Sequence, residues 1–356
     1  MGSVTDLAGR VFEGVLGTFD TWSIYVGDKL GFYRTMRDGK PYAAAELAKS
    51  SDVDPRYVRE WLEQQAVTGL LLCDNPGDPT EARTYRLEPA GAEVFTDDRS
   101  LNFLAPFVRL VTSAGIQLPE LLAAYRSGGG VGWEQFGEDM RTGQAGMNRP
   151  WFLSVLAKEW FPAVPEIQAR LEAGARIADI GCGEGWSSIG FAQGYPKVTV
   201  DGYDLDQASI NEATKHAAET GLSERVRFEC VDVATVDRAG TYDLVTAFEC
   251  IHDLSQPVAV LAAMKRLAKP DGDVVVMDEK VNEEFLGSEA GDVERVMYGF
   301  SLFTCLPDGM SRQPSAATGT VMRPKTLKSY AKEAGFSGIE VLPIENDLWR
   351  FYRLVL

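Results

Sequence analysis

The residues of this chain best placed to do chemistry are an acid, three glycines at alternate positions and a later histidine. Residues 176–185 read Arg-Ile-Ala-Asp-Ile-Gly-Cys-Gly-Glu-Gly, a short apolar strand that runs into Gly181, Gly183 and Gly185. Glycines at this point let the backbone turn tightly and approach a ligand with no Cβ in the way, and a helix opening at Trp186 aims unpaired N–H groups at the same place. The pattern predicts a site for a nucleotide-like cofactor. A dinucleotide fingerprint would want its third glycine where Trp186 stands, and an indole there would block close packing of helix on strand. Carboxylates follow at later strand ends, Asp204 after residues 198–203 and Asp232 beyond residues 226–230. A carboxylate at the end of the second strand suits the two hydroxyls of a ribose.

The two histidines differ in context. His216 lies in a polar helix over residues 211–219 and is expected to face solvent, whereas His252 follows a strand in Phe248-Glu249-Cys250-Ile251-His252-Asp253-Leu254. An imidazole can accept a proton near neutral pH, and a carboxylate partner fixes its tautomer. His252 can therefore serve proton transfer, or cap and pack at the start of a helix.

The elements that must position these groups are legible in outline. Strands at 176–180, 198–203, 226–230, 244–248 and 274–277 alternate with helices, and 339–344 pairs with 349–356 across Glu345-Asn346-Asp347, the pattern of an open α/β sheet ending in an antiparallel hairpin. Upstream, helices at 22–37, 43–49 and 55–66, the last capped by Asp54 with Pro55 behind it, precede strands at 70–73 and 84–87 around the turn-rich residues 75–79. This reads as a winged helix-turn-helix over residues 1–99. Its third helix sets Arg56 and Arg59 against Asp54, Glu60 and Glu63, which favours a structural, dimerising module over a DNA reader. Residues 100–174 read as a helical link whose stretch 144–152, with Met147 and Trp151, can form a pocket wall. Residues 175–356 carry the sheet, and within them residues 280–323 form a long connection read as a lid, with Tyr298, Phe300 and Phe303 as candidate substrate contacts. Ordinary core packing is the competing reading for these aromatic residues.

Composition narrows the partners. A chain of 356 residues with 45% hydrophobic content supports two domains, and a net charge of −17 opposes binding to nucleic acid or an anionic membrane. There is no apolar run near membrane-spanning length and no basic-then-apolar leader, so a soluble, cytoplasmic chain is expected. The five cysteines lie far apart with no C-x-x-C pair, and no spacing suggests a metal site or a disulfide framework.

Across residues 170–356 the chain resembles the class I S-adenosylmethionine-dependent methyltransferases. Asp179-Ile180-Gly181-Cys182-Gly183-Glu184-Gly185 looks like the family's first motif and Gly202-Tyr203-Asp204-Leu205-Asp206 like its second. Asp232-Val233, Tyr242-Asp243-Leu244-Val245 and Leu267-Ala268-Lys269-Pro270-Asp271-Gly272 complete the series, with Asp271 where many members have glycine. The resemblance implies a seven-stranded Rossmann-like sheet. It also implies that Asp179 and the three glycines position the methionine end of the cofactor, Asp204 the ribose, and Asp232 and Val233 the adenine, with Leu205 and Phe248 completing the set. In the small-molecule O-methyltransferases that carry a winged-helix dimerisation module, a His-Asp pair after strand four supplies the general base. His252-Asp253 falls on that pair, and Asp278 falls on the acid that orients it. The implied activity is methyl transfer from S-adenosyl-L-methionine, leaving S-adenosyl-L-homocysteine, to a small molecule at oxygen, by a homodimer. Transfer to nitrogen or carbon without a base, a cofactor-sensing DNA-binding regulator and a non-catalytic cofactor-binding protein remain open on the sequence.

Overall fold

Ser3 opens the first helix with a reciprocal cap, its hydroxyl accepting from the Asp6 N–H while the Asp6 carboxylate accepts from the Ser3 N–H. Helix α1 (Val4–Lys29) therefore begins well before the expected start at Trp22. It also stops before the expected end at Arg37, because Gly31, at φ 73°, turns the chain into the short α2 (Phe32–Met36). The structure is a computed structural model that describes residues 3–356, which fall into two compact units divided between residues 113 and 114. The stretch 100–174, read from sequence as a link, is divided between them.

In the first unit, β1 (Tyr42–Ala43), α3 (Ala44–Ser51) and α4 (Pro55–Val67) precede β2 (Leu72–Cys73), β3 (Thr84–Arg86) and α5 (Pro89–Thr96). Asp54 caps α4 as its type predicts, accepting from the N–H groups of Arg56 and Tyr57. The strands are shorter than expected and form an antiparallel sheet in the order β1-β3-β2, the wing, to which β1 adds a strand the sequence did not announce. Phe32, Tyr33, Leu47, Val58, Trp61, Leu62 and Leu87 make its core. Helix α6 (Ala105–Ile116) crosses from one unit into the other.

The second unit continues with α7 (Leu118–Ser127), α8 (Trp133–Ser154) and α9 (Pro165–Ala173); α8 is kinked at Gly137. The alternation then runs β4 (Arg176–Ile180), α10 (Trp186–Gly194), β5 (Thr199–Asp204), α11 (Gln207–Glu219), β6 (Val226–Cys230), β7 (Tyr242–Phe248), α12 (Pro257–Leu267) and β8 (Ala268–Glu279). Helices α13 (Gly291–Phe300), α14 (Leu306–Met310) and α15 (Pro324–Glu333) lead to β9 (Gly338–Val341) and β10 (Trp349–Val355). The seven strands lie in the order β6-β5-β4-β7-β8-β10-β9, parallel except that β10 runs antiparallel to both its neighbours. Strand β8 is longer at both ends than the expected 274–277. It picks up a partner early, at Tyr242 opposite Ala268, through a register irregularity, and Asp278 is still within it.

Successive residues of the parallel strands feed opposite faces, as a sheet covered on both sides requires. Ile177, Val200, Leu244, Val275, Met277 and Phe351 join one core with α9 and α10, while Ala178, Val245, Ala247, Val274, Val276 and Tyr352 join another with α12 and α15. The strand order switches direction between the parallel neighbours β4 and β7, and the carboxyl ends of strands at such a switch point are where ligands of open α/β sheets bind. Both candidate motifs leave the sheet there.

Candidate active site

The glycine turn leaves β4 in left-handed backbone at Gly181 (φ 67°), Gly183 (φ 51°) and Gly185 (φ 81°). Two of these positions are closed to any side chain. A Cβ on Gly181 would stand 2.7 Å from Cys250 Sγ, and one on Gly185 would stand 2.4 Å from the Phe228 ring. At Gly183, in contrast, a Cβ would meet nothing within 4 Å, so the middle of the turn faces open space. The neighbouring strand braces it: the Asp204 carboxylate accepts from the Gly183 N–H at 2.9 Å and, through its other oxygen, from the Asp206 N–H at 2.8 Å. Burial pushes the Asp204 carboxyl up, against the pull of these backbone donors.

Asp179 works from behind the turn. Only 1% exposed, it accepts from Ser187 Oγ at 2.6 Å, Ser188 Oγ at 2.7 Å and Thr246 Oγ1 at 2.9 Å, which ties β4 to the first turn of α10 and to β7. Asp232 is exposed at the end of β6, where it caps the short turn Val233–Thr235 by accepting from the Ala234 N–H at 2.9 Å; Val233 is buried and Leu205 half-exposed. His216 does not face solvent as expected. Its ring stacks on Trp186 at 4.4 Å with Nδ1 3.1 Å from the Glu184 carbonyl oxygen, and Arg149 covers the other side of the indole at 4.6 Å. Trp186, the residue that breaks a dinucleotide fingerprint, thus packs against both the His216 ring and the Arg149 guanidinium.

On the β7 side the chain makes a strained exit. Glu249 has φ 52°, an uncommon conformation for a side chain of its size. Its carboxylate accepts from Asn148 Nδ2 at 2.6 Å and from Trp349 Nε1 at 2.7 Å, pinning the loop to α8 and β10. Three residues on, His252 is 2% exposed. Its Nδ1 lies 3.0 Å from Asp278 Oδ1 and 3.1 Å from Glu279 Oε2, and its Nε2 lies 3.0 Å from Asp253 Oδ1. The structure brings together the His252, Asp253 and Asp278 that the sequence singled out. It adds Glu249 and Glu279, for which adjacency to His252 or Asp278 was the only signal, and Asn148, which lies in the stretch 144–152 read as a pocket wall. Burial drives the imidazole toward its neutral form, but Asp253, Asp278 and Glu279 outweigh it and hold its pKa well above the ordinary 6.5.

Burial also pushes two carboxyls upward, Glu249 to about 8 with help from the charge of Glu279, and Glu279 to about 7 against the pull of His252. A carboxyl raised in the folded state stabilises the fold below its ordinary range, and that contribution is lost as pH climbs through the folded value. Stability is therefore expected to fall between about pH 5 and 8, with Glu279→Gln removing about 1 to 3 kcal/mol of the dependence. Melting temperatures across that window check it, and equal slopes in variant and wild type would refute the assignment.

The aromatic candidates divide. Trp151 is part of a packed set, 5.2 Å from Trp349 and 6.2 Å from Trp160, beside Phe152 stacked on Phe248 at 5.7 Å. Met147 is half-buried on α8. In residues 280–323, α13 passes directly into a wider turn over Ser301–Cys305 and then α14, so the helix-like run is helical throughout. Tyr298 and Phe303 are exposed and Phe300 half-buried, and the Tyr298 hydroxyl lies 3.4 Å from Arg323, which is itself paired to Glu294 at 2.8 Å.

Residues 171–333 match the family described as "Methyltransferase domain", and residues 21–97 match an "Rv2258c-like winged HTH domain". A ubiquinone biosynthesis O-methyltransferase of Bordetella bronchiseptica is 31% identical over 178 residues, 48% of this chain and 68% of that protein. The enzyme of the same name from Xanthomonas axonopodis pv. citri is 36% identical over 107 residues, 30% of this chain, and the match spans only 44% of that relative's length. Human N-acetylserotonin methyltransferase, solved with S-adenosylmethionine, superposes with a TM-score of 0.72 at 18% identity over 100% of this chain and 99% of that one, a likeness of fold. The chain belongs to the S-adenosylmethionine-dependent methyltransferases, with a winged helix-turn-helix domain ahead of the methyltransferase domain. Its own residues fit the cofactor: the turn keeps open space in front of Gly183 where a Cβ would intrude, and a carboxylate stands at the end of the adjacent strand.

Proposed function

We propose that this chain moves the methyl group of S-adenosylmethionine to a hydroxyl oxygen of a small phenol- or enol-type acceptor, with His252 as general base. The observation that carries the reading is a buried imidazole backed on Nδ1 by Asp278, at the carboxyl end of the strand next to the glycine turn. The cofactor supplies an electrophilic methyl on a sulfonium. Gly181, Gly183 and Gly185 admit its methionine end to the backbone, Asp179 holds that turn in place, and Asp204 receives the ribose. Asp232 and Val233 hold the adenine edge, and Leu205 and Phe248 complete the cofactor site. Asp278 fixes the tautomer that leaves Nε2 for the acceptor's proton, and the acceptor hydroxyl takes the place of Asp253 opposite that nitrogen. Removing one of the three facing carboxylates in this way lowers the imidazole's hold on its own proton, which makes it a base when the acceptor arrives. Met147, Trp151, Tyr298, Phe300 and Phe303 are the candidate acceptor contacts, and residues 280–323 the lid.

Asp204→Ala is expected to weaken S-adenosylhomocysteine binding about 10- to 100-fold, the worth of charge-assisted hydrogen bonds to a ribose. Calorimetric titration checks it, and unchanged affinity would take Asp204 out of the site. The acceptor atom is tested by incubating the protein with isotopically labelled cofactor and a metabolite extract and locating the label by mass spectrometry. Label on nitrogen or carbon would replace the oxygen reading.

The first unit serves a homodimer in this reading, through α1. Against DNA contact, the basic groups of α4 are already engaged, Arg56 with Glu60 at 2.5 Å and Arg59 within 3.9 Å of Glu81. All five cysteines are free thiols, which supports a reducing, cytoplasmic setting. Among the described residues no helix is long and apolar enough to cross a membrane.

A further inference from the structure

The geometry points to a zinc site built from His252 Nε2, Asp253 and Cys305 Sγ, at the position where the acceptor's hydroxyl is proposed to dock. The three ligand atoms lie within 4.8 Å of one another, although Cys305 is far from the other two in sequence, on the turn between α13 and α14. A tetrahedral zinc ion with one nitrogen, one oxygen and one sulfur ligand wants donor separations of roughly 3.3 to 3.8 Å. Small side-chain adjustments reach that.

Two further observations point to a cation. With its Nδ1–H given to Asp278, His252 sets Nε2 3.0 Å from Asp253 Oδ1, a buried oxygen that takes no hydrogen bond from any other group. Two lone pairs at this distance need a positive charge between them, and a proton or a metal ion supplies it. The second is the backing of the ring. A carboxylate on the far nitrogen of a ligating imidazole fixes its tautomer and raises its basicity, and Asp278 holds that position with Glu279 Oε2 beside it. Asp253 and Asp278 face opposite nitrogens of the same imidazole, so a divalent ion at Nε2 meets two carboxylates, one as a ligand and one behind the ring. Zinc suits the mixed nitrogen, oxygen and sulfur set better than magnesium or calcium, which prefer oxygen alone. On binding, the Cys305 thiol proton and the Nε2 proton of the imidazolium pass to solvent, and nothing is oxidised or reduced.

The ion occupies Nε2, the atom that accepts the acceptor's proton. This consequence, a metal-dependent block on transfer, rests on the general-base reading; the binding itself rests only on the three ligands. The test is calorimetric titration of chelator-treated full-length protein with zinc chloride, in wild type, Cys305→Ser and Asp253→Asn, with no cofactor or acceptor present. One zinc per chain is expected, with affinity at least tenfold lower in each variant and S-adenosylhomocysteine affinity unchanged in all three. Cobalt(II) titration gives a second readout, since a thiolate–cobalt charge-transfer band should appear in wild type and be missing from Cys305→Ser. Equal zinc affinity in wild type and Cys305→Ser, or a cobalt spectrum without the thiolate band, would overturn the site. Matched circular dichroism spectra separate loss of ligand from loss of fold. Because neither titration involves turnover, their failure would leave the methyl-transfer reading standing, and the reverse holds as well.

Discussion

His252→Ala is expected to lower kcat about 10²- to 10⁴-fold while S-adenosylhomocysteine binds as in wild type. The magnitude is that of a positioned general base, and it is bounded from above because holding acceptor and methyl donor in line supplies about 7 to 11 kcal/mol without any base. Cofactor affinity is spared because the glycine turn and Asp204 are fixed by contacts that do not include His252: Asp179 to Ser187 and Ser188, and Asp204 to Gly183. The pH profile separates a base from a packing residue. Three carboxylates hold the wild-type imidazole protonated above its ordinary range, so kcat/KM should rise with pH as the ring loses its proton, and the variant should lose that rise. A variant that keeps wild-type kcat would sink the general-base role; one that loses turnover but keeps the pH-dependent limb would make His252 a structural residue and leave transfer without base assistance.

The sheet was legible because its signals are local. Five apolar runs, each ended by glycine or acid, announce parallel strands, and the ladder follows from the pattern of side chains that alternate between the two cores. Asp204 and His252 could be singled out for the same reason, as each sits just past a strand. What escaped was set by contacts distant in sequence. Glu249 differs from any other acid only in being clamped by Asn148 and Trp349, about a hundred residues away on either side. His216 reads as a polar helix residue until Trp186 brings its indole to it. Cys305 carries no spacing signal at all, because the turn between α13 and α14 returns it to His252 only in three dimensions. Asp179 shows the converse: the sequence marks it as the acid that ends the strand before the turn, while in the structure its carboxylate accepts from Ser187, Ser188 and Thr246. The start of α1 was missed for a local reason, since Gly9, Gly14 and Gly17 lower helix propensity in a stretch whose cap, Ser3 with Asp6, compensates at one end.

That helix carries the second large effect: Phe12→Asp combined with Phe19→Asp is expected to convert a dimer into monomers. Val4, Leu7, Val11, Phe12, Val15, Leu16, Phe19, Trp22 and Val26 are all exposed on α1, 39% or more in each case. At 100° per residue they fall on one half of the helix, with Asp6, Arg10, Glu13, Asp20 and Thr21 on the other. Twenty-six residues make a helix about 39 Å long, enough for an apolar stripe to meet its own copy along most of its length. An exposed stripe of this extent is costly for a lone chain in water. A second copy is favoured over an anionic membrane by the net charge of −17, which repels such a surface, whereas the facing stripes carry no charge of their own. Each buried phenylalanine contributes about 1.5 to 3 kcal/mol, and a dimer of two identical chains loses four of them, so the two substitutions should weaken association by about 6 to 12 kcal/mol, or at least about 10⁴-fold. Neither residue belongs to the buried core of the first unit, so the variant should keep its melting curve apart from the concentration dependence that dimerisation adds. Sedimentation velocity over a hundredfold concentration range reads the outcome. A wild type that sediments as a monomer would remove the dimer, and a variant that stays dimeric would move the interface off α1.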